Sequence, residues 1–455
     1  MSAVLLVYDL LESVHASFIP RSPGQPFGVN FDLYGDRRQS STTEMRNFRS
    51  PLQGVTYVNT VKRRLVIAGT ISLSLLAAAC GSDKSSNTTA APAASDAATT
   101  TAGSAGSTTT ASAGESTTTQ GSASTTPGST VDYSKLSGTL VGSGATFPKG
   151  FYDDAIATFA GIAPKLTVEY GGGGSGKGRS DLQTMVVDFA GTDGVVKDAD
   201  KAAYKGGEFV YVPTVIAPIT MSYNLPGVSK LQLSPTSIAA IFQVEVTKWN
   251  DPVIAADNPG VTLPASDIVV ARRADGSGTT ENFSKFLNAA AGPDAGGTWK
   301  LGAASELEWP AGTQAGDGNS GVAQIVSSTE GAIGYVDLSD AKANNLTFAS
   351  VKNKAGKYVE PTLDATTAAA QGTTIKPDLT FFLGWADGDK AYPIAAQTWI
   401  IAYTKQPDAA KAEALRGFLT YLLTDAQKTA PDIDYAPLPA DLQAKALANI
   451  AKIGA

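Results

Sequence analysis

The 455-residue sequence has one histidine and one cysteine, His15 and Cys80, so residues 81–455 contain neither. A Ser-His-Asp triad, a thiol nucleophile and zinc sites built on His or Cys are therefore excluded from that stretch. A lone cysteine also excludes an internal disulfide, though it says nothing about redox compartment. Large apolar side chains are nearly missing from residues 81–130, which are mostly Ser, Thr, Ala and Gly. Such a segment buries too little to offset the entropy of ordering. From Val131 onward no continuous apolar run reaches the ~20 residues that span a bilayer. Excess positive charge is absent as well: 35 Lys and Arg stand against 42 Asp and Glu, a net charge of −7, and the chain without residues 1–79 carries −10. An acidic chain of this kind is a poor partner for nucleic acid. If it takes an anion, the attraction must be local, from backbone N–H groups and at most a cation or two in the loops.

What is present begins with Lys62-Arg63-Arg64, followed by the apolar run Leu65–Ala79 and the sequence Ala77-Ala78-Ala79-Cys80-Gly81. A basic segment, a short apolar core and a small-residue cleavage site predict a secretory signal over residues 57–79. A Cys directly after the small residues resembles a lipobox. This implies that Cys80 is lipidated, becomes the mature N-terminus and anchors the protein on the extracytoplasmic face of the cell membrane. Residues 1–56 then read as a non-native N-terminal extension, with translation starting at Met45 or at a Val between Val58 and Val61. Residues 80–130 read as a flexible tether, and about 50 residues of Gly/Ser-like stiffness span ~40 Å.

Three segments of the remaining chain share one design: a short apolar strand, a small-residue loop with hydroxyls, then a helix. They are Leu140-Val141 with GSGATFP (142–148) and helix 152–160; Leu166–Tyr170 with GGGGSGKG (171–178) and helix 181–187; and Ile268–Val270 with RRADGSGTT (272–280) and helix 283–290. Each loop feeds a helix N-terminus, where the first N–H groups lack partners and the helix dipole is positive. Glycines allow close backbone approach and Ser or Thr add donors, so three such loops, one with Arg273, favour convergence on a single anion. An isolated loop of this kind is an ordinary helix cap. The second loop mimics a nucleotide phosphate loop at Gly171, Gly176 and Lys177, but the next position, Gly178, lacks the hydroxyl that holds magnesium.

A fourth element is the run Asp188-Phe189-Ala190-Gly191-Thr192-Asp193. Alone, Asp193 reads as a turn or cap residue. Among the three loops it gains a second meaning, because a carboxylate cannot donate and would accept a proton carried by the oxyanion. Hydrogen phosphate carries that proton at neutral pH and sulfate does not. An unpaired buried acceptor costs roughly 1–3 kcal/mol, so one Asp could reject sulfate strongly.

At these residues the chain resembles the phosphate-binding receptors of the high-affinity phosphate ABC importers, the PstS family, from about Leu136 to Ile450. PTVIAPITMSYNLPGV (213–228), TKWNDPVIAADNPGVTLP (247–264), GAIGYV (331–336) and YAPLP (435–439) extend the match. The resemblance implies phosphate ligands at Thr146 and Phe147 (a hydroxyl and a backbone N–H), Ser175, Asp193, Arg273, Ser277, Gly278 and Thr279. It also implies that Asp275 pairs with Arg273 and orients it. Lys177 and Arg272 read as solvent-facing.

Alternating strands and helices argue for α/β layers. The resemblance implies a two-domain, type II periplasmic-binding-protein-like fold with ligand in the interdomain cleft. One domain would combine residues 133–213 with about 341–455, and the other would hold residues 217–340. Residues 392–403 read as a buried strand, and 408–428 as a helix whose Leu415, Phe418, Leu419 and Leu422 face the core. The expected protein captures inorganic phosphate without a cofactor or metal, as a monomer. It passes phosphate to an ABC permease with its ATPase subunits, and catalyses nothing. The alternatives are a receptor for sulfate or molybdate, a sensor or adhesin with the same fold, and an extracytoplasmic phosphatase restricted to carboxylate bases.

Overall fold

The computed structural model describes residues 131–455. The extension 1–56, the signal segment 57–79, Cys80 and the tether lie outside the described residues.

Among the described residues eleven strands run in chain order: β1 Ser137–Gly144, β2 Lys165–Gly173, β3 Phe189–Thr192, β4 Phe209–Tyr223, β5 Gln232–Leu233, β6 Val269–Arg273, β7 Gln314–Gly316, β8 Ala332–Asp337, β9 Thr347–Lys352, β10 Tyr358–Val359 and β11 Ala395–Tyr403. Their spatial order is β2-β1-β3-β11-β4-β8-β6-β7, with β9 also on β4 and the short β5 and β10 on β9. β1 pairs in parallel with β2 and β3, and β6 pairs in parallel with β7 and β8. The two parallel groups are joined through antiparallel contacts of β11 and β4.

The long strand β4 explains how two sheets meet. Its sequence FVYVPTVIAPITMSY is buried from Val210 to Tyr223, as a strand covered on both faces requires. Pro213 and Pro218 lack N–H donors and would break a uniform ladder. The register with β11 shifts between Gln397 and Trp399, opposite Pro213–Ile216, and the pairing with β11 ends at Pro218 opposite Ala395. From Ile219, opposite Asp337, β4 pairs with β8 instead. One strand thus leaves the first sheet and enters the second at a proline.

The strand predicted over residues 392–403 forms as β11 from Ala395, fully buried. The helix predicted over 408–428 forms as Ala409–Leu423, capped by the Asp408 side chain, with Leu415, Phe418, Leu419 and Leu422 all buried. Trp249 and Trp399 are core residues, and Trp309 packs against the core partly buried. The second predicted helix differs: it spans Gly174–Gln183 rather than 181–187. The glycine-rich run is divided: Gly171–Gly173 end β2 and Gly174–Gly178 open the helix, with Gly173 and Gly174 at φ 116° and 88° turning the chain sharply between them. The helix ends at Gln183 with Thr184 as its C-cap, and Met185 beyond it adopts φ 63°.

Candidate anion site

The loops after β1, β2, β3, β6 and β7 leave the carboxyl ends of their strands, the place where open α/β sheets present ligand crevices. After β1, Ala145 N–H bonds to the Gly191 carbonyl at 2.9 Å, which ties the first loop to the end of β3. The next residues, Thr146 and Phe147, precede the helix Lys149–Ile162. The Phe147 ring is buried and its carbonyl accepts from the Tyr435 hydroxyl at 2.8 Å.

Ser175 lies in the first turn of the helix Gly174–Gln183. Its hydroxyl donates to Asp193 Oδ2 at 3.2 Å and accepts from the Asp193 N–H at 3.1 Å, so the second loop and the end of β3 lock together. The third loop follows β6. Arg273 places its fork on Asp275, Nε to Oδ1 at 2.7 Å and Nη2 to Oδ2, while Nη1 donates to Thr279 Oγ1 at 3.2 Å. Ser277 caps the helix Gly278–Ala291, accepting from the Thr280 N–H at 3.0 Å.

The second and third loops touch directly. Gly176 N–H bonds to the Gly276 carbonyl at 2.7 Å. A Cβ on Gly174 would stand 2.0 Å from Asp275 Oδ2. One on Gly278 would stand 2.3 Å from Ser175 Oγ and 2.6 Å from Asp193 Oδ2. These glycines are required by contact between two loops that belong to different sheets. Asn282, on the same helix as Gly278, donates to the Asp193 carbonyl at 2.8 Å and receives the Gln397 amide at 2.9 Å.

Asp193 is buried, and its Oδ1 has no hydrogen-bond partner among the described residues. Burial pushes its carboxyl up to about 7, against the pull of the Thr398 hydroxyl, the Arg273 charge, the Ser175 hydroxyl and Arg179. Asp275 moves the other way. Burial alone would raise it, but its hydrogen bonds to Arg273 and the Arg273 charge outweigh burial and hold it below the ordinary carboxylate range. One carboxylate is thus spent on the arginine and the other keeps an open acceptor.

Residues 91–426 match the family described as a PBP superfamily domain. The chain is 32% identical over 324 residues to the phosphate-binding protein PstS of Xylella fastidiosa, covering 70% of this chain and 86% of that one. It is 34% identical over 315 residues to the protein of the same name from Haemophilus influenzae, covering 67% and 90%. The chain belongs to the PstS family of phosphate-binding proteins. Its fold is also that of the phosphate-binding protein from Stenotrophomonas maltophilia, with a TM-score of 0.55 at 22% identity over 69% of this chain and 94% of that one. The architecture is accordingly α/β and periplasmic-binding-protein-like.

In this PstS-family chain seven of the nine residues singled out from sequence fall into one neighbourhood: Ser175, Asp193, Arg273, Asp275, Gly278 and Thr279 are linked by the contacts above, and Thr146 joins them through Asn319, while Phe147 and Ser277 are tied in only as chain neighbours of Thr146 and Gly278. Lys177 is exposed and pairs with Asp181. Arg272 is half-buried, bonded to Thr313 Oγ1 and the Arg273 carbonyl, and not solvent-facing as expected. Two participants escape the sequence reading. Asn319 opens the helix Gly318–Ser328 after the three-residue β7, within GDGNSG (316–321), and Gly318 N–H donates to Asp275 Oδ1 at 3.2 Å. This is a fourth copy of the strand, loop and helix design, concealed by so short a strand. Arg179 donates to Thr192 Oγ1 at 3.0 Å and faces Glu281 at 3.5 Å, holding the helix of the second loop to the helix of the third. Among the described residues no group of three or more His, Cys, Asp or Glu side chains could hold a metal ion. The chemistry on offer is a set of N–H, hydroxyl and guanidinium donors around one unpaired carboxylate oxygen, which suits a protonated tetrahedral oxyanion.

Proposed function

We propose that this protein captures inorganic phosphate outside the cytoplasm and delivers it to an ABC-type permease driven by ATPase subunits. The single observation that carries the reading is the buried Asp193 with its open Oδ1, set beside the Arg273 fork and the Ser175 hydroxyl. Hydrogen phosphate supplies the proton that this oxygen accepts, while Arg273, Ser277, Gly278, Thr279, Ser175, Thr146 and the Phe147 N–H supply donors to its oxygens. Sulfate would leave the carboxylate unpaired and repelled. The curated relatives are named for phosphate binding, which supports the same ligand.

The two sheets become two lobes in this reading. The first holds residues 133–213 and the chain after the second crossover, and the second begins near residue 217. Because β9 and β10 pair with the second sheet, the return is drawn between Val359 and Ala395, later than about residue 341. The cleft closes on phosphate by bending at β4 and β11, and bound ligand favours the closed form. The protein works as a monomer without catalysis, tethered to the membrane through lipid on Cys80 after removal of the signal segment.

Retention of radiolabelled phosphate by the purified protein, undiminished by excess sulfate, is the expected result. Displacement by sulfate would overturn the ligand assignment. For the anchor, metabolic labelling with a fatty acid should mark the wild type and fail with Cys80→Ser.

A further inference from the structure

Asn319 is fully buried at the second position of the helix Gly318–Ser328. Its backbone N–H donates to Thr146 Oγ1 at 3.1 Å, and its amide Nδ2 donates to Thr146 Oγ1 at 3.2 Å and to Thr279 Oγ1 at 3.1 Å. Thr279 Oγ1 also receives Arg273 Nη1 at 3.2 Å. Each threonine hydroxyl therefore accepts two hydrogen bonds. A hydroxyl has two lone pairs and one proton, so with both acceptor positions filled only the O–H remains to be given away. An anion is a partner for that proton. A threonine free to rotate would present either a proton or a lone pair to the ligand, and the lone pair repels it.

The placement adds a second consequence. Thr146 lies on the loop after β1 in the first sheet, while Thr279 and Asn319 follow β6 and β7 in the second. One amide thus spans the two sides of the cleft, and its bonds to Thr146 exist only when those sides touch. We propose that Asn319 is a positioning residue that locks the Thr146 and Thr279 hydroxyls as donors toward the bound oxyanion and latches the closed cleft. This rests on the phosphate-receptor reading of the same site.

The distinction between donor and acceptor makes the role testable. Asn319→Ala removes the amide and leaves each hydroxyl with one donor, the residue-319 backbone N–H on Thr146 and Arg273 Nη1 on Thr279, so one lone pair of each is free to turn toward the ligand. Asn319→Asp keeps the shape but replaces the donor with an acceptor, which draws the hydroxyl protons toward itself and away from the anion.

The test is calorimetric titration of ligand-stripped full-length protein with phosphate, using the wild type, Asn319→Ala, Asn319→Asp and the Thr146→Val/Thr279→Val pair with and without Asn319→Ala. Asn319→Ala should weaken phosphate by about tenfold, the scale of two lost hydrogen bonds. Asn319→Asp should weaken it further. In the paired Val background Asn319→Ala should change affinity by no more than about twofold, because the hydroxyls it orients are gone. A merely structural asparagine would lower the melting temperature yet leave affinity unchanged, or cost the same in both backgrounds; either result overturns the proposal. Should Asn319→Ala not fold, Asn319→Asp decides, since binding equal to wild type contradicts the donor role. A wild type that binds no phosphate would mark failure of the receptor reading itself.

Discussion

At the scale of single residues, two carboxylates a short distance apart have opposite fates. Asp275 is occupied by the Arg273 fork, and Asp193 keeps one oxygen open in a buried place. In the proposed function, that difference in chemistry selects the anion. Replacing Asp193 with Asn offers sulfate a donor where it met a negative charge, so the phosphate-to-sulfate affinity ratio should fall by at least about tenfold. Competition titration with both anions checks this, and an unchanged ratio would contradict it. Arg273→Lys keeps the charge but loses the planar fork, which Asp275 and Thr279 hold in place. It should weaken phosphate by roughly tenfold to a hundredfold, read from the same titration. Arg273 stands out in the sequence as one of two cations in a Gly/Ser loop and Asp193 only beside the three loops, and the resemblance to the phosphate receptors singles out both. Asn319 does not stand out, because an amide says little until its partners, over a hundred residues away in Thr146, are known in space.

At the scale of elements, the third-loop helix matters for how close it comes. Gly278 allows its first turn to lie against Ser175 and Asp193, where a Cβ would meet Ser175 Oγ at 2.3 Å. Gly278→Ala adds helix propensity, yet it must drive the helix back from the opposing loop. Phosphate affinity should drop by more than about tenfold while the melting temperature of the unliganded protein stays within a few degrees, because a retreat of the loops relieves the clash. Thermal melts with and without phosphate would show this as loss of the ligand-induced shift alone. The sequence pattern located all three loops, since Gly and hydroxyl residues between an apolar run and a helix are a local signal. It placed the second helix seven residues late, because GSGKG (174–178) has poor helix propensity and its helical turn is held against the third loop by the Gly176 N–H to Gly276 carbonyl bond.

Across the whole molecule, β4 joins the sheets, and three acids with raised pKa stand in the fold, Asp193 and Asp337 buried and Asp340 half-buried. Asp337, opposite Ile219 of β4, is held well above the ordinary carboxylate range by burial and by neighbouring Asp340, and Asp193 and Asp340 are raised as well. Tyr435 faces the same group, while Arg273 and Lys149 temper Asp340. Acids with raised folded pKa bind protons that the unfolded chain has released, so their contribution is full below the ordinary value of 3.8 and is lost as pH rises through the raised one. For Asp193 that loss is complete above about 7. The unliganded protein should therefore melt at a lower temperature at pH ~7.5 than at pH ~5, and Asp337→Asn should shrink the difference. Asp275, lowered, acts below pH 3.8 and the described residues contain no histidine, so neither masks the trend. A melting temperature that rises across this interval would contradict the buried acids. At this scale the sequence could announce α/β alternation, while the crossover near residues 213–217 was an expectation from the family resemblance. It could not place the second crossover, which depends on β9 pairing with β4 across a long separation in the chain.

The most direct test of the central claim is calorimetric titration of ligand-stripped full-length protein at pH 7.5, first with phosphate and then with sulfate. Saturable phosphate binding with no sulfate heat, and loss of that selectivity in Asp193→Asn, is the expected result. Sulfate binding comparable to phosphate, or heat from neither anion, would contradict it.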